Sequence, residues 1–230
     1  CHAIGRIDGS GEEAAAAGLT ISSAPALMEA GFRRHRRCAA ATTTLDLARE
    51  MCRNLETKLD DIDAIVFATS LPVNGNVGDL DRYRATRDVK YLMDFPASRL
   101  QAELAMERAF VVGIDQLACT SLLGAIRMSR NLLAAEPELE RVLCLTADRF
   151  PDGALYEQAY NLISDGAAGC ILSRHPSGFR YLGAHAITNG ALSFATDDET
   201  IGNYFTYSHR LISECLTKLK MTVDDIDWVI

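Results

Sequence analysis

The stretch LAREMCRNLETKLDDIDAIV, residues 47–66, decides the fold, because a similar stretch, LISECLTKLKMTVDDIDWVI, recurs at residues 211–230. Seven of the twenty paired positions are identical, including the DDID tetrapeptides at 60–63 and 224–227, and apolar residues meet apolar residues at six further positions. Units of helix, turn and strand can resemble one another by chance. This degree of identity favours a duplicated half-domain.

Each copy has the pattern of a helix, an acidic turn and a buried strand. In the first copy, apolar positions 48, 51, 52, 55 and 59 share one helical face. Thr43 is a suitable N-cap, with the acidic Asp46 three residues later. The second copy reaches residue 230 inside its predicted strand, and a buried strand requires neighbours on both sides. We therefore expect the 230 residues to be part of a larger folding unit.

Between the copies, strand-like and helix-like segments alternate. The pattern predicts strands at 109–117, 141–146, 167–172 and 179–185, helices at 120–135 and 154–162, and an exposed loop at 72–91. This alternation is typical of an α/β protein whose sheets are covered by helices.

The amino-acid composition argues against several classes of protein. The chain is 48% hydrophobic with a formal net charge of -8, which excludes disorder and makes nucleic acid an unexpected partner. No segment approaches the roughly 20 apolar residues of a membrane span. The seven cysteines are widely spaced, and Cys52, Cys144, Cys170 and Cys215 lie in apolar surroundings. The sequence thus predicts reduced thiols in a cytoplasmic protein without a metal site.

Cys119 differs from the other cysteines in its context, DQLACTSLLGA at residues 115–125. It stands where an apolar strand ends and a helix begins, so the helix amides and the positive end of the helix dipole favour the thiolate. Such a thiolate is a nucleophile, and the amides can bind the oxyanion formed when it attacks a thioester. The local context equally allows a cysteine that serves as a small buried residue.

An ordered set of motifs resembles β-ketoacyl-acyl-carrier-protein synthase III and its thiolase-fold relatives. The motifs are FPASRLQ at 95–101, DQLACTS at 115–121, RVLCLTAD at 141–148, SDGAAG at 164–169 and DIDWVI at 225–230. The resemblance implies a layered αβαβα fold built from two duplicated halves. Residues 1–175 are then the first half, with the nucleophile, and residues 176–230 the start of an incomplete second half.

The same resemblance implies a homodimer that transfers acyl groups by a ping-pong mechanism. Cys119 is the implied catalytic nucleophile, Phe95, Ile163 and Thr120 bind substrate, and Asp165 lies in a structural turn. The family's catalytic His and Asn and its glycine-rich loop belong to the part of the second half after residue 230. Ser121 stands where the family usually has glycine.

The implied donor is coenzyme A or the phosphopantetheine arm of an acyl carrier protein, with no other cofactor. Residues such as Pro25 and Glu29 replace the family's nucleotide clamp, which favours the carrier protein. Arg33, Arg34, Arg36 and Arg37 form a basic run that predicts docking of an acidic carrier protein, although a solvated loop without a partner also fits.

Two functions remain open. The first is an acyltransferase that passes the acyl group from Cys119 to a malonyl thioester, with loss of carbon dioxide, or to a hydroxyl or amine. Ser121 and the replaced nucleotide clamp favour a role in secondary metabolism over the initiation of fatty-acid synthesis. The second is a non-catalytic thiolase-fold partner subunit. His185, a lone histidine after a predicted strand, is expected to be structural.

Overall fold

The computed structural model describes residues 1–71, 79–93, 95–158, 161–175, 178–194 and 197–229. The chain divides into two compact units, Cys1–His175 and Pro176–Ile230. Across the described residues, every helix is too short or too polar to cross a membrane.

The first unit contains nine strands among its described residues, and its helices lie between them in the chain. The strands are β1 His2–Ile4, β2 Ile7–Ser10, β3 Arg34–Arg37, β4 Ala64–Ala68, β5 Phe110–Ile114, β6 Arg141–Asp148, β7 Glu157–Gln158, β8 Asn161–Leu162 and β9 Gly166–Ser173. The helices are α1 Gly11–Ala16, α2 Ala24–Glu29, α3 Thr44–Arg53, α4 Leu80–Thr86, α5 Pro96–Glu103 and α6 Ser121–Ala135, with short 3₁₀ helices at Val89–Leu92 and Ala118–Thr120.

A five-stranded sheet in the order β1-β9-β6-β4-β5 organises this unit. The strands β5, β4 and β6 are parallel, whereas β9 and β1 are antiparallel to their neighbours. All five residues of β4 are buried, so its sequence is a continuous apolar run rather than an alternating one. Two small antiparallel hairpins, β2–β3 and β7–β8, complete the strand pairing.

Helices cover both faces of the sheet. The buried face of α3 contributes Ala48 and Met51 to one apolar cluster, which also holds the alternate β4 residues Ile65 and Phe67. On the opposite face, Ala125 of α6 belongs to a second apolar cluster. Its members on the strands are Ala64, Val66, Ala68, Val142 and Cys144. The period of two in β4 thus divides its side chains between the two helix layers.

The first copy of the repeat begins as its pattern predicts, but α3 ends at Arg53, so the predicted helical positions 55 and 59 lie beyond the helix. The backbone leaves the helical region there, since Glu56 has φ 51°. The hydroxyl of Thr43 accepts a hydrogen bond from the backbone of Asp46, and the Asp46 carboxylate accepts one in return, which caps α3. In the second unit, helix α7 at Asp197–Leu219 precedes a 3₁₀ turn at Val223–Asp225, where the Asp225 carboxylate accepts hydrogen bonds from the backbone N–H and the hydroxyl of Thr222. The helix and the acidic turn therefore recur in both copies.

The predicted strand of the second copy is absent from the described residues 226–229, where Trp228 is 86% exposed. The segment predicted as a strand at 179–185 also has no regular structure. A strand requires a neighbouring strand to satisfy its backbone groups, and the described residues of the second unit include none. These two predictions were wrong for that reason.

The predicted helix at 154–162 was also wrong, because β7 and β8 form a hairpin there. The carboxylate of Glu157 accepts hydrogen bonds from the backbone of Ile21 and Ser22 and from the Ser22 hydroxyl, and these contacts hold the segment extended. In the predicted loop at 72–91, positions 72–78 lie outside the described residues. The remainder is largely the exposed helix α4 and the 3₁₀ turn at Val89–Leu92.

Candidate active site

Cys119 lies in a tight turn between β5 and α6, as the sequence predicts. The turn contains two non-glycine residues in the left-handed region, Gln116 with φ 65° and Ala118 with φ 44°. Residues in this region carry conformational strain, which surrounding contacts must offset. The thiol of Cys119 is free, and the residue is exposed. The turn therefore presents a thiol to solvent at the start of a 15-residue helix.

The carbonyl oxygen of Ala118 is the point at which this turn is held. The hydroxyls of Ser70 and Ser121 each donate a hydrogen bond to it at 2.7 Å. The backbone N–H of Ser121 donates to the same oxygen. Ser121 is 2% exposed, so its side chain fills a buried position and adds a hydrogen bond to the turn.

Ser70 is itself held by Asp148 at the end of β6. The Asp148 carboxylate accepts hydrogen bonds from the backbone N–H of Ser70 at 3.0 Å and of Leu71 at 3.2 Å. It also accepts one from the hydroxyl of Thr69 at 2.5 Å. One carboxylate therefore shapes the loop after β4, and that loop supports the turn that carries Cys119.

These groups meet because of the sheet topology. Since β4, β5 and β6 are parallel, Ser70, Cys119 and Asp148 all follow or end strands at the same edge of the sheet. The chain places β5 on one side of β4 and β6 on the other, so the strand order changes direction there. The carboxyl ends of strands at such a point are where open α/β sheets bind ligands.

The position of the Ala118 carbonyl also orients the next amide. A trans peptide is planar, so its N–H points opposite to its C=O. The Cys119 N–H therefore points away from Ser70 and Ser121. The N–H groups of Thr120 and Ser121 donate to the carbonyls of Leu117 and Ala118. The Cys119 N–H lies beside its own thiol and is the backbone donor of this turn that can bind a negatively charged oxygen.

The other residues predicted to bind substrate lie on separate elements. Thr120 shares the Cys119 turn, and its hydroxyl donates to the carbonyl of Leu117 at 2.6 Å. Phe95 is 54% exposed and precedes α5. Ile163 is half-buried, and its N–H donates to the carbonyl of Tyr156 at 2.8 Å. The structure thus joins Thr120 to Cys119, and pocket roles for Phe95 and Ile163 stay predictions.

Most of the basic run lies in strand β3 rather than in a loop, and Arg33 immediately precedes that strand. Arg34 and Arg36 both form ion pairs with Asp8 on the paired strand β2, so part of their charge is neutralised. Arg33 is exposed and Arg37 is half-buried. The backbone N–H of Asp165 donates to the carbonyl of Arg36.

Asp165 connects this hairpin to the sheet edge that carries Cys119. It immediately precedes β9, whose first residue, Gly166, pairs with Asp148. Asp165 is 1% exposed, and its carboxylate accepts hydrogen bonds from the backbone of Cys38 and Phe150 and from the Tyr156 hydroxyl. Burial, followed by the charge of Asp165, raises the pKa of Tyr156. These contacts support a structural role for Asp165.

His185 lies in the second unit, where its ring nitrogen is 2.6 Å from the carboxylate of Glu214. Hydrogen bonds first from Arg210 and then from His185 lower the pKa of Glu214. The pairing agrees with the structural role expected for His185.

Sequence reasoning missed the roles of Ser70 and Asp148. The available signal was positional: Thr69-Ser70 directly follows the buried run at 64–68, and Asp148 ends the apolar run that starts at Val142. Polar residues at the carboxyl ends of buried strands are candidates for one shared site in an α/β protein.

Comparison with known proteins identifies the fold. No protein-family model matches the chain, and no curated protein matches it in sequence. Among solved structures, the chain is similar to ChlB3, named as an acyltransferase, with a TM-score of 0.74 and 18% identity over 98% of this chain and 71% of that one. The chain has a thiolase-like fold.

Two further solved structures are similar to this chain in fold and differ from it in most of their residues. OleA of Xanthomonas campestris with bound cerulenin matches with a TM-score of 0.72 and 15% identity, over 98% of this chain and 71% of that one. The 3-oxoacyl-[acyl-carrier-protein] synthase III of Aquifex aeolicus matches with a TM-score of 0.62 and 16% identity, over 83% of this chain. This chain spans 57% of the length of that synthase. The thiolase-like α/β fold implied by the sequence motifs is confirmed.

Proposed function

We propose that this protein is an acyltransferase of thiolase-like fold, in which Cys119 accepts an acyl group from a thioester. The observation that supports the proposal is the exposed, free thiol at the start of α6. Its turn is held by Ser70 and Ser121 through the carbonyl of Ala118. A thiol that served as a small packing residue would be buried and would not need such support.

The proposed first step is a thioester exchange. The Cys119 sulfur attacks the carbonyl carbon of the donor and forms a tetrahedral intermediate whose oxygen carries negative charge. The backbone N–H of Cys119 stabilises that oxygen. The carbon–sulfur bond to the donor then breaks, the donor leaves as a thiol with the proton that Cys119 lost, and Cys119 keeps the acyl group.

For the donor, we propose the phosphopantetheine arm of an acyl carrier protein, with acyl-coenzyme A as the alternative. The arginines at 33, 34, 36 and 37 are the proposed docking residues. Arg34, Arg36 and Arg37 lie in β3, and Asp165, whose N–H donates to the Arg36 carbonyl, precedes the end of β9 that pairs with Asp148. This contact supports docking of the donor near the carboxyl ends of the parallel strands. The proposed acylation of Cys119 uses the thioester donor and no further cofactor.

For the acceptor, we propose either a malonyl thioester, which loses carbon dioxide, or a hydroxyl or amine. Names of structurally similar proteins include both a 3-oxoacyl synthase and an acyltransferase, so both outcomes are represented on this fold. Phe95, Ile163 and Thr120 are the proposed substrate-binding residues. Carbon dioxide release from a malonyl donor, measured after acylation, distinguishes condensation from transfer to oxygen or nitrogen.

We also propose that the protein acts as a homodimer in the cytoplasm. Strand β5 ends the five-stranded sheet, and Phe110 on it is 39% exposed. An unpaired strand edge is a template for pairing with another chain. All seven cysteines are free thiols, which fits a reducing compartment.

Acyl loading is tested by measuring the intact mass of the full-length protein after incubation with thioester donors. The donors are acyl carrier proteins and coenzyme A that carry short acyl groups. We expect one acyl adduct, located at Cys119 by peptide mapping and lost in Cys119→Ser. Cys215→Ser, which removes a thiol in the second unit, is the matched control and retains the adduct. Absence of an adduct with every donor would favour the second candidate function, a non-catalytic partner subunit.

Carrier-protein docking is tested by reversing one exposed charge. Arg33→Glu should slow acylation by an acyl-carrier protein several-fold at low salt and leave acylation by acyl-coenzyme A unchanged. Arg180→Glu, an exposed charge in the second unit, should leave both rates unchanged. Equal rates for Arg33→Glu and the unmodified protein with a carrier-protein donor would contradict docking at this strand.

A further inference from the structure

We propose that Cys144 and Cys170 form a redox-active dithiol, which a two-electron oxidant such as hydrogen peroxide converts reversibly into a cross-strand disulfide.

The sheet places these two cysteines directly opposite each other. Cys144 on β6 and Cys170 on β9 are partners in the antiparallel register. Opposed residues in a sheet have side chains on the same face, and the two Sγ atoms are 3.4 Å apart. Opposed residues in antiparallel pairs have Cα atoms about 4.5–5.5 Å apart, which lies within the range of about 4.4–6.8 Å found across disulfides. Bond formation therefore requires a small approach of the sulfurs and no rearrangement of the strands.

The two thiols differ in access and in ionisation. Cys144 is fully buried, in the apolar cluster beneath α6, whereas Cys170 is partly exposed. The interaction with the Cys144 thiol lowers the pKa of Cys170 to about 7, and the same interaction, together with burial, raises the pKa of Cys144. Cys170 is therefore the thiolate that meets a small oxidant, and Cys144 keeps its proton.

The oxidation proceeds in two balanced steps. The Cys170 thiolate attacks one oxygen of hydrogen peroxide, the O–O bond breaks, and the hydroxide that leaves takes up a proton to form water, so Cys170 becomes a sulfenic acid. The Cys144 sulfur then attacks the Cys170 sulfur, the S–O bond breaks, and the departing hydroxide takes the Cys144 proton to form a second water. The dithiol loses two electrons and the peroxide gains two.

Cys144 and Cys170 differ from the other cysteines in burial and in their place in the sheet. Burial alone raises the pKa of Cys52 to about 12, and that residue is 2% exposed. Cys119 is exposed and its thiol is free. The proposed bond thus depends on β6 and β9 and not on the thiol assigned to acyl transfer, so the two proposals can fail separately.

The experiment treats the folded, full-length protein with graded hydrogen peroxide, blocks the remaining thiols in denaturant and maps the peptides by mass spectrometry. We expect a linked Cys144–Cys170 peptide that disappears after reduction with dithiothreitol. In Cys144→Ser, Cys170 should oxidise without a cross-link, and in Cys170→Ser, Cys144 should stay reduced at the same dose. Cys52→Ser, a control at another buried thiol, should give the cross-link in unchanged yield.

Two results would overturn the proposal. One is oxidation of Cys170 to a sulfinic acid in the unmodified protein while Cys144 stays free. The other is a cross-link that forms only after denaturation, or in which Cys170 joins a different cysteine. Thermal unfolding of both serine variants is measured in parallel and verifies that each one retains its fold. If a serine variant does not fold, the alanine variant at the same position takes its place.

Discussion

The hydroxyl of Ser70 donates a hydrogen bond to the carbonyl of Ala118, 48 residues later in the chain, and thereby connects the loop after β4 to the turn that presents Cys119. The Ser121 hydroxyl donates to the same oxygen from within the turn. These two contacts orient the peptide group that joins Ala118 to Cys119. They are the basis of the first prediction.

Ser70→Ala and Ser121→Ala should each slow acylation of Cys119 by up to about tenfold, because a hydrogen bond between neutral groups contributes about 0.5–1.5 kcal/mol. The double variant should lose more than either single variant, since both hydroxyls hold one oxygen. Initial rates of acyl-adduct formation measure the effect. Ser213→Ala removes a hydroxyl that donates to the carbonyl of His209 in the second unit, and its rate should be unchanged. A rate in Ser70→Ala equal to that of the unmodified protein would exclude a positioning role.

Asp148→Asn should loosen the loop at residues 69–71. The carboxylate accepts hydrogen bonds from the backbone of Ser70 and Leu71, and an amide group would turn one acceptor into a donor that faces those N–H groups. We expect a loss of about 1–3 kcal/mol in stability, the usual cost of an unsatisfied buried donor. Faster hydrogen exchange at 70 and 71 would report the change. Asp152→Asn, which alters an exposed ion pair with Arg149, should leave exchange at these positions unaffected.

The capping of α3 predicts a pH-dependent stability. Hydrogen bonds from the Thr43 hydroxyl and backbone lower the pKa of Asp46. A carboxyl whose pKa is lowered by folding contributes stability above its unfolded pKa of about 3.9 and loses that contribution as the pH falls through the folded value. Asp46→Asn should therefore destabilise the protein at pH 7 and have little effect near pH 2.

Urea unfolding at the two pH values measures this difference. Thr43→Ala should cost about 1 kcal/mol at pH 7, the usual value for loss of an N-cap. Asp81→Asn, at an aspartate whose side chain is 91% exposed, should change stability little at either pH. A destabilisation by Asp46→Asn that is the same at both pH values would show that its charge does not contribute.

Gly169→Ala should destabilise the sheet. A Cβ at this position would lie 2.8 Å from the carbonyl oxygen of Cys144 and 2.8 Å from the Cε of Met51 on α3. The end of the Met51 side chain can move away, but the backbone oxygen belongs to β6, so β9 would have to shift against β6. Overpacking of this kind costs about 1–3 kcal/mol. Gly113→Ala, on β5, meets no atom within 4 Å and is the matched control for thermal unfolding. Equal unfolding temperatures for the two variants would contradict the close approach.

Local patterns were sufficient to predict much of the first unit. The apolar face of α3 at positions 48, 51 and 52, its cap and the uniform burial of β4 follow from residues close together in the chain, and the structure confirms all three. The end of the helix at Arg53, before the predicted positions 55 and 59, did not follow from that pattern. The same applies to the junction that places Cys119 between β5 and α6. The hairpin at β7–β8 could not be predicted in this way, because Glu157 is held by the backbone of Ser22, 135 residues earlier.

By itself, the sequence determined helices α3 and α6, the burial of strand β4 and which thiol starts a helix, because periodicity, capping and turn chemistry act over a few residues. Only the tertiary structure decided what surrounds that thiol. Ser70 and Asp148 lie 78 positions apart, and they meet because parallel strands bring their carboxyl ends to one edge of the sheet. The same strand register placed Cys144 opposite Cys170. Sheet pairing depends on which segments become neighbours in space, and local sequence patterns do not specify that choice.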